Sequence, residues 1–308
     1  MTTGKGRPRP LKGIKVTSLA LNMPGPAALM RCRQMGARCL KIEPPAPKSA
    51  PAGSSGDPMG QHNPAAYAEM HKGVRVLGLD LKSERGQAAL HRELATTDVL
   101  LTSFRPSALN KLGLGWKSLQ RHHPTLCQVA IVGSPGSRAE EPGHDLTYLA
   151  DNGLITGLEL PPTLYADMGG ALLASEAVLQ AVLARHERDQ SLYIEVALSE
   201  AARWLALPRH WGLTLPKGAV GGGHAGYRLY PCADGRVAVA ALEPHFAATL
   251  CRLADVEIQN SRVMQDPATH AAVARFFIER SCAQLARLAT QHDLPLHCMA
   301  ATRANPAR

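Results

Sequence analysis

The stretch from Gly13 to Glu43 constrains the fold more than any other. Ile14-Lys15-Val16 reads as a short strand. A Pro24-Gly25-Pro26 turn precedes Ala27 to Met35, which has helical composition, and Gly36 suits a helix C-cap. Cys39 to Ile42 reads as a second strand. Strand, helix and strand in that order form a βαβ unit, the building block of a parallel sheet. The alternation continues. Val76 to Leu81 is a strand, Glu84 to Ala95 an amphipathic helix, and Val99-Leu100-Leu101 a strand. Leu126 to Val132 is another strand, ending at Gly133. A helix runs from near Gly169 to near Glu187, and Asp189 to Leu198 follows as a strand. Between these elements, Pro44 to Pro64 is rich in Pro, Gly, Ser and Ala and reads as a long surface loop.

The pattern breaks from Trp204 to Gly226, which carries Pro208, Pro216 and the triplet Gly221-Gly222-Gly223. Tyr227 to Ala240 then reads as a hairpin with Asp234-Gly235 at its turn. Two helical segments follow, His245 to Leu253 and Ala271 to Gln291. A chain of 308 residues is long for one core. The expected organisation is a large doubly wound, Rossmann-like α/β domain (1–202), a linker (203–226) and a smaller α/β domain (227–308).

Composition narrows the partners. The formal net charge of +9 favours anionic ones, yet its sign alone does not separate nucleic acid, acidic lipid and phosphorylated metabolites. Aromatic residues make up 4 %, which leaves few stacking platforms for single-stranded nucleic acid. Zinc-finger and RNA-recognition patterns are missing from the sequence, as are a GxGxxG after a strand and a GxxxxGK[ST]. The Gly221 triplet lacks an immediately following helix that would make it a phosphate cradle. Cys32, Cys39, Cys127, Cys232, Cys251, Cys282 and Cys298 are irregularly spaced, with no matched CxxC pairs. That spacing predicts neither a zinc site nor a disulfide framework and suits a reducing, cytoplasmic setting. No apolar region follows the basic Met1 to Pro10, and no apolar run approaches the ~20 residues that span a bilayer, so neither a leader nor a membrane partner is expected.

Four groups of short motifs, in order, carry a family resemblance. The first is Leu11 to Val16 with Pro24-Gly25-Pro26, Met35-Gly36-Ala37 and Lys41-Ile42-Glu43-Pro44-Pro45. The second is Lys72 to Arg75 and Leu79 to Lys82, with Thr97 to Leu100, Phe104-Arg105-Pro106 and Leu112 to Gly115. The third is Gly143 to Tyr148 with Ala166-Asp167-Met168-Gly169-Gly170. The fourth is Asp234-Gly235 with Val239 to Phe246. In this order the chain resembles the family III CoA-transferases (CaiB/BaiF), and within them the α-methylacyl-CoA racemase branch.

The resemblance implies an acyl-CoA substrate, no cofactor beyond coenzyme A, and a homodimer. It implies His144 and Asp167 as the pair that removes and returns an α-proton from opposite faces, with Glu243 fixing the imidazole tautomer. Asp167 also matches the aspartate that the transferase branch uses as a nucleophile, so CoA transfer through an acyl intermediate is the alternative. A third alternative is a CoA-binding paralogue without turnover. By the same resemblance, CoA contacts fall to Arg75, Leu79, Lys82, Ser103, Phe104, Arg105, Lys111, Gly143, Asp145 and Tyr148. On the residues alone, His144-Asp145 also reads as a loop hydrogen bond and Asp167 as an N-cap. A helix starting beside Gly169-Gly170 would favour the ionised carboxylate of Asp167.

The sequence also departs from the family pattern. Arg188 to Leu192 lacks the glycines of the usual turn, Val74 stands where a lysine is common, and the segment between His144 and Asp167 is shorter than in racemases. The chain ends at Arg308, soon after Asp293-Leu294-Pro295-Leu296, where family members continue, so a shortened C-terminus is expected.

Overall fold

The computed structural model describes residues 8–50, 54–188 and 190–301. The chain divides into two compact units, Met1–Ala206 and Leu207–Arg308.

In the first unit the order is β1 (Lys15–Ser18), α1 (Pro24–Gln34), β2 (Arg38–Glu43), α2 (Pro58–His62), α3 (Pro64–Met70), β3 (Arg75–Gly78) and α4 (Glu84–Leu94). Next come β4 (Val99–Thr102), α5 (Pro106–Lys111), α6 (Trp116–His122), β5 (Cys127–Val132) and α7 (Asp145–Asp151). The unit closes with α8 (Tyr165–Arg188), β6 (Tyr193–Ala197) and α9 (Leu198–Leu205). The six strands form one parallel sheet in the order β3-β2-β1-β4-β5-β6. The order reverses between β1 and β4, and such a switch point opens a crevice at the carboxyl ends of the strands.

Both sheet faces are covered. Val16, Val99, Leu101, Val129 and Ile131 belong to a core shared with α1 and α8. Leu40, Ile42 and Leu100 point the other way, to a core with Leu90 and Leu94 of α4, Leu109 of α5 and Leu119 of α6. Successive side chains of a strand alternate between faces. A central strand of such a sheet is therefore buried along its length, as Cys127–Val132 is, with Gln128 its one polar residue.

Several local expectations need correction. Pro24 opens α1 rather than forming a separate turn, because its missing N–H and fixed φ suit the first helical position. Gly36 does follow that helix with φ of 101°, a conformation costly to other residues. Pro44 to Pro64 contains α2 and is not loop throughout; its residues 51–53 lie outside the described residues. Polar bonds, not apolar burial, hold this stretch down. Asp57 caps α2 through its bond from the Met59 N–H at 2.9 Å and pairs with Lys41 of β2, both side chains fully buried. Glu43 accepts from Ser55 Oγ at 2.8 Å, the Gly56 N–H at 3.0 Å and Tyr67 Oη at 2.8 Å.

Helix α8 begins at Tyr165, upstream of the expected start near Gly169. Gly169 and Gly170 lie inside it and bring it close to α9, where a Cβ on Gly170 would collide with Leu198. Contrary to the sequence expectation, α8 is long and apolar enough to cross a membrane by length and composition. Its Ala166, Ala171, Ala174, Val178 and Ala181 are buried in the core of the sheet. Of the strand and turn expected around Asp189, β6 starts at Tyr193; the side chains of Arg188 and Asp189 lie outside the described residues.

In the second unit α10 (Leu207–His210) precedes a turn at Ala219–Gly223 with Gly222 at φ of 106°. Strands β7 (Tyr227–Cys232) and β8 (Gly235–Ala240) form the expected hairpin, with Ala233-Asp234 as its two-residue turn. Helices α11 (Pro244–Leu253), α12 (Pro267–Ile278) and α13 (Cys282–His292) follow, and β9 (Leu296–Ala300) returns antiparallel to β8. The single helix expected over Ala271 to Gln291 is split. Ser281 starts α13 in a reciprocal cap with Gln284, which ends the run although the apolar pattern continues. Phe277, Leu285, Val237 and Val239 join the separate core of this unit.

Candidate active site

A cleft of about 300 Å³ lies in the first unit where the sheet order reverses. Its floor comes from strand ends and the loops after them. Leu21, Asn22 and Pro24 follow β1, Ser103 to Arg105 follow β4, and Ile131 to Gly133 end β5. The segment Glu141 to His144, Tyr148 of α7, Asp167 of α8 and Leu198 of α9 complete the wall. Of the residues named from sequence, Ser103, Phe104, Arg105, Gly143, His144, Tyr148 and Asp167 meet here.

Asp167 occupies the third position of α8, not the N-cap, and is partly exposed to the cleft. Its carboxyl is pushed up to about 6, first by burial and then by the neighbouring Asp145 carboxylate, with His144 pulling the other way. Burial and the like charge therefore work against the helix N-terminus, which was expected to favour the ionised form. Removing a carboxylate from water and setting it near a like charge outweighs a helix-end effect of under ~1 kcal/mol.

Asp145 does not line the cleft. It is buried, and its Oδ1 accepts the Asp167 N–H at 2.9 Å, one of the orphan donors of the first turn of α8. The bond ties α7 to α8 and fixes where Asp167 points. His144 sits at the N-cap of α7, its own N–H donating to Thr147 Oγ1 at 3.1 Å. The adjacent Gly143 has no room for a side chain, since a Cβ would sit 2.6 Å from the Tyr148 ring. Burial raises the Tyr148 phenol above its usual range, Asp167 adds to the rise, and Arg105 opposes it.

Arg105 is exposed, N-caps α5 and makes no ion pair among the described residues. Beside it, Glu140 is tied to α5 through the Ser107 N–H at 2.7 Å and Ser107 Oγ at 2.8 Å. Lys111, exposed in the last turn of α5, lies outside the cleft lining. Leu79 and Lys82 follow the carboxyl end of β3, the Leu79 N–H bonding Glu43 O at 2.9 Å, and also lie outside that lining. Arg75 stands at the start of β3 and gives its guanidinium to Glu93, at 2.6 Å, which also holds Lys15 of β1 at 2.8 Å. Glu243 is the exposed N-cap of α11, in the second unit.

Sequence reasoning passed over Asn22. Its φ of 63° suits asparagine better than most residues, and its N–H donates to Asp57 Oδ1 at 3.1 Å. The signal was its place just after β1 of a βαβ unit, where loop residues face the crevice.

The family profile of CoA-transferase family III matches residues 11–304. The chain is 32 % identical over 296 residues to the human protein named alpha-methylacyl-CoA racemase, covering 89 % of this chain and 73 % of that one. It is 34 % identical over 166 residues to the cinnamoyl-CoA:phenyllactate CoA-transferase of Clostridium sporogenes, 51 % of this chain and 40 % of that one. The crystal structure of Rv3272 from Mycobacterium tuberculosis superposes with a TM-score of 0.80 at 23 % identity, over 96 % of this chain and 87 % of the other, which speaks for the fold. With a parallel six-stranded sheet, a cleft at its switch point and a profile match along nearly the whole chain, the protein belongs to CoA-transferase family III.

Proposed function

We propose that this chain exchanges the α-proton of a 2-methylacyl-CoA thioester, with His144 and Asp167 as the acid–base pair. The observation that carries the reading is Asp167, partly buried in the cleft and raised to about 6, with His144 lining the same wall. An acid–base group works best with its pKa near the working pH, whereas a nucleophilic carboxylate gains from being ionised throughout. One of the two groups takes the α-proton and the other returns one from the opposite face, so the α-centre inverts. In heavy water the wild type takes up α-deuterium, and His144→Ala loses that uptake.

Transfer of CoA between carboxylic acids is the second reading, favoured by the transferase names among the relatives and by Asp167 as the acyl carrier. The His144→Ala variant separates the two, since acyl transfer through Asp167 does not need the imidazole and α-exchange does. Retained transfer to a carboxylate acceptor with no α-exchange in the wild type would sink the racemase assignment.

The acid limb of the pH–rate profile offers an independent check. With Asp167 as the base, activity rises as the carboxyl ionises through about pH 6. Asp145→Asn keeps an oxygen that can accept the Asp167 N–H but removes the like charge that raises Asp167. That variant is expected to move the limb to lower pH, as read from kcat/KM between pH 4 and 8. A limb that does not move would exclude Asp167 as its source.

Arg105 is assigned the phosphate end of the CoA thioester, as an uncommitted cation at the rim. Losing one charge-assisted bond is worth ~1.5–3 kcal/mol. Arg105→Gln should thus raise KM for the thioester roughly tenfold or more with kcat little changed. Finally, Tyr165, Met168 and Leu172 are exposed at helical spacing on α8, and Leu205 of α9, also exposed, lies beside Gly169 of that helix. A second copy of the chain is the assigned cover for these side chains.

A further inference from the structure

The cysteines of the second unit do not scatter as their spacing implies. Cys232 ends β7, Asp234 sits in the hairpin turn two residues later, and Cys282 opens α13. Their Sγ and Oδ atoms lie within 4.8 Å of one another. Cys232 Sγ and Cys282 Sγ are 3.6 Å apart, and Cys232 Sγ lies 3.9 Å from Asp234 Oδ1. The carboxylate is held in place by the Cys282 N–H, which donates to Oδ1 at 2.6 Å.

These separations have a chemical counterpart. With Zn–S of ~2.3 Å and Zn–O of ~2.0 Å, tetrahedral coordination puts two sulfurs ~3.8 Å apart and a sulfur ~3.5 Å from an oxygen. The observed edges lie within a few tenths of an ångström of both. Cys298 of β9 lies on the same side of the sheet but outside this group of three. Cys232 pairs with Gly235 and Cys298 with Val237, two residues along β8, so the two side chains share a face. Both also belong to or pack on the same core cluster. Among the described residues no other cysteine joins a group of three such donors. Cys251, for example, packs its sulfur against Met264 Sδ at 3.4 Å.

We infer that Cys232, Cys282 and Asp234 form a three-ligand binding site for a thiophilic divalent cation of the Zn²⁺ class, with water as the fourth ligand. Binding would release the thiol protons to solvent as the sulfurs become thiolates, with no change of oxidation state. The ion would join the hairpin of β7 and β8 to the start of α13, two segments far apart in sequence. Its place, on secondary-structure ends and remote in sequence from His144 and Asp167, marks it as structural.

The full chain, reduced and stripped of metal by a chelator, should be titrated with Co²⁺ as a spectroscopic probe. The expected result is one equivalent bound per chain, with a thiolate-to-cobalt charge-transfer band that Zn²⁺ abolishes by displacement. Cys232→Ser with Cys282→Ser should fall from one equivalent to none, while Cys251→Ser keeps the site. No charge-transfer band in the reduced wild type, or an undiminished band in the double variant, overturns the proposal. Should the double variant fail to fold, alkylation of the wild type followed by mass spectrometry decides. Protection of Cys232 and Cys282 by added Zn²⁺ supports the site, and equal labelling with and without Zn²⁺ refutes it.

Discussion

Replacing Asp167 by Asn is expected to lower α-deuterium uptake by about 10³-fold or more while the protein stays folded. General acid–base catalysis by one positioned group contributes ~10²–10⁴-fold, and both candidate chemistries of this cleft route through the same carboxyl. The variant therefore loses exchange if Asp167 is the base and loses transfer if it is the nucleophile. Its stability provides the control. In the wild type the folded carboxyl is raised from 3.8 to about 6. A carboxyl raised by folding favours the folded state at low pH, and that contribution is lost as pH rises from the unfolded value through about 6. Asn carries no such penalty. Relative to the wild type, Asp167→Asn should thus be more stable at pH 7 than at pH 4, by on the order of 2 kcal/mol. A variant that is inactive yet stabilised in that sense has lost chemistry and not structure. Wild-type rates in this variant would remove Asp167 from the mechanism altogether.

The second large effect is on stability. Lys41→Met leaves Asp57 buried without its cation, and breaking a buried ion pair on one side typically costs about 3–5 kcal/mol. Burial alone pulls the Lys41 ammonium below its usual range, with Asp57 and Glu43 acting against that pull. The pair is thus held by its geometry and its remaining bonds. Asp57 also accepts the N–H groups of Asn22 and Met59, at 3.1 and 2.9 Å. The damage should therefore reach the lip of the cleft. Urea unfolding followed by far-UV circular dichroism should show a lowered midpoint for Lys41→Met. The double variant Lys41→Met with Asp57→Asn should recover part of it, because the stranded charge is gone while an acceptor remains for the two N–H groups. A midpoint unchanged in the single variant would mean that water reaches Asp57 and the pair is not closed off.

Both results turn on a difference between local and distant information. Local chemistry in the sequence determined the alternation of strands and helices. The largely apolar Cys127–Val132 reads as a strand on its own, and Gly36 after α1 reads as a helix end on its own. The motif order likewise carried the family, which the profile match along residues 11–304 bears out. Where local signals competed, sequence misled. The apolar pattern ran through Ser281, yet its reciprocal cap with Gln284 started a new helix there. The polar stretch after Pro44 read as loop because its anchors, Lys41 and Glu43, lie on another element.

What only tertiary structure decided is the company each charged or sulfur-bearing group keeps. Arg75, named from its motif, meets Glu93 through its exposed guanidinium. Asp145, named as a CoA contact by resemblance, is buried and holds the N–H of Asp167. Cys232 and Cys282 lie 50 positions apart in sequence, and the return of α13 onto the hairpin brings their sulfurs to 3.6 Å. The pKa of Asp167 belongs here as well. Its sequence neighbours promise a helix end that favours the anion, and burial beside Asp145 raises it instead. The reason is the same in each case. Strand and helix follow from the order of residues along the chain, whereas desolvation, charge proximity and ligand geometry depend on distances in space that the chain's order does not specify.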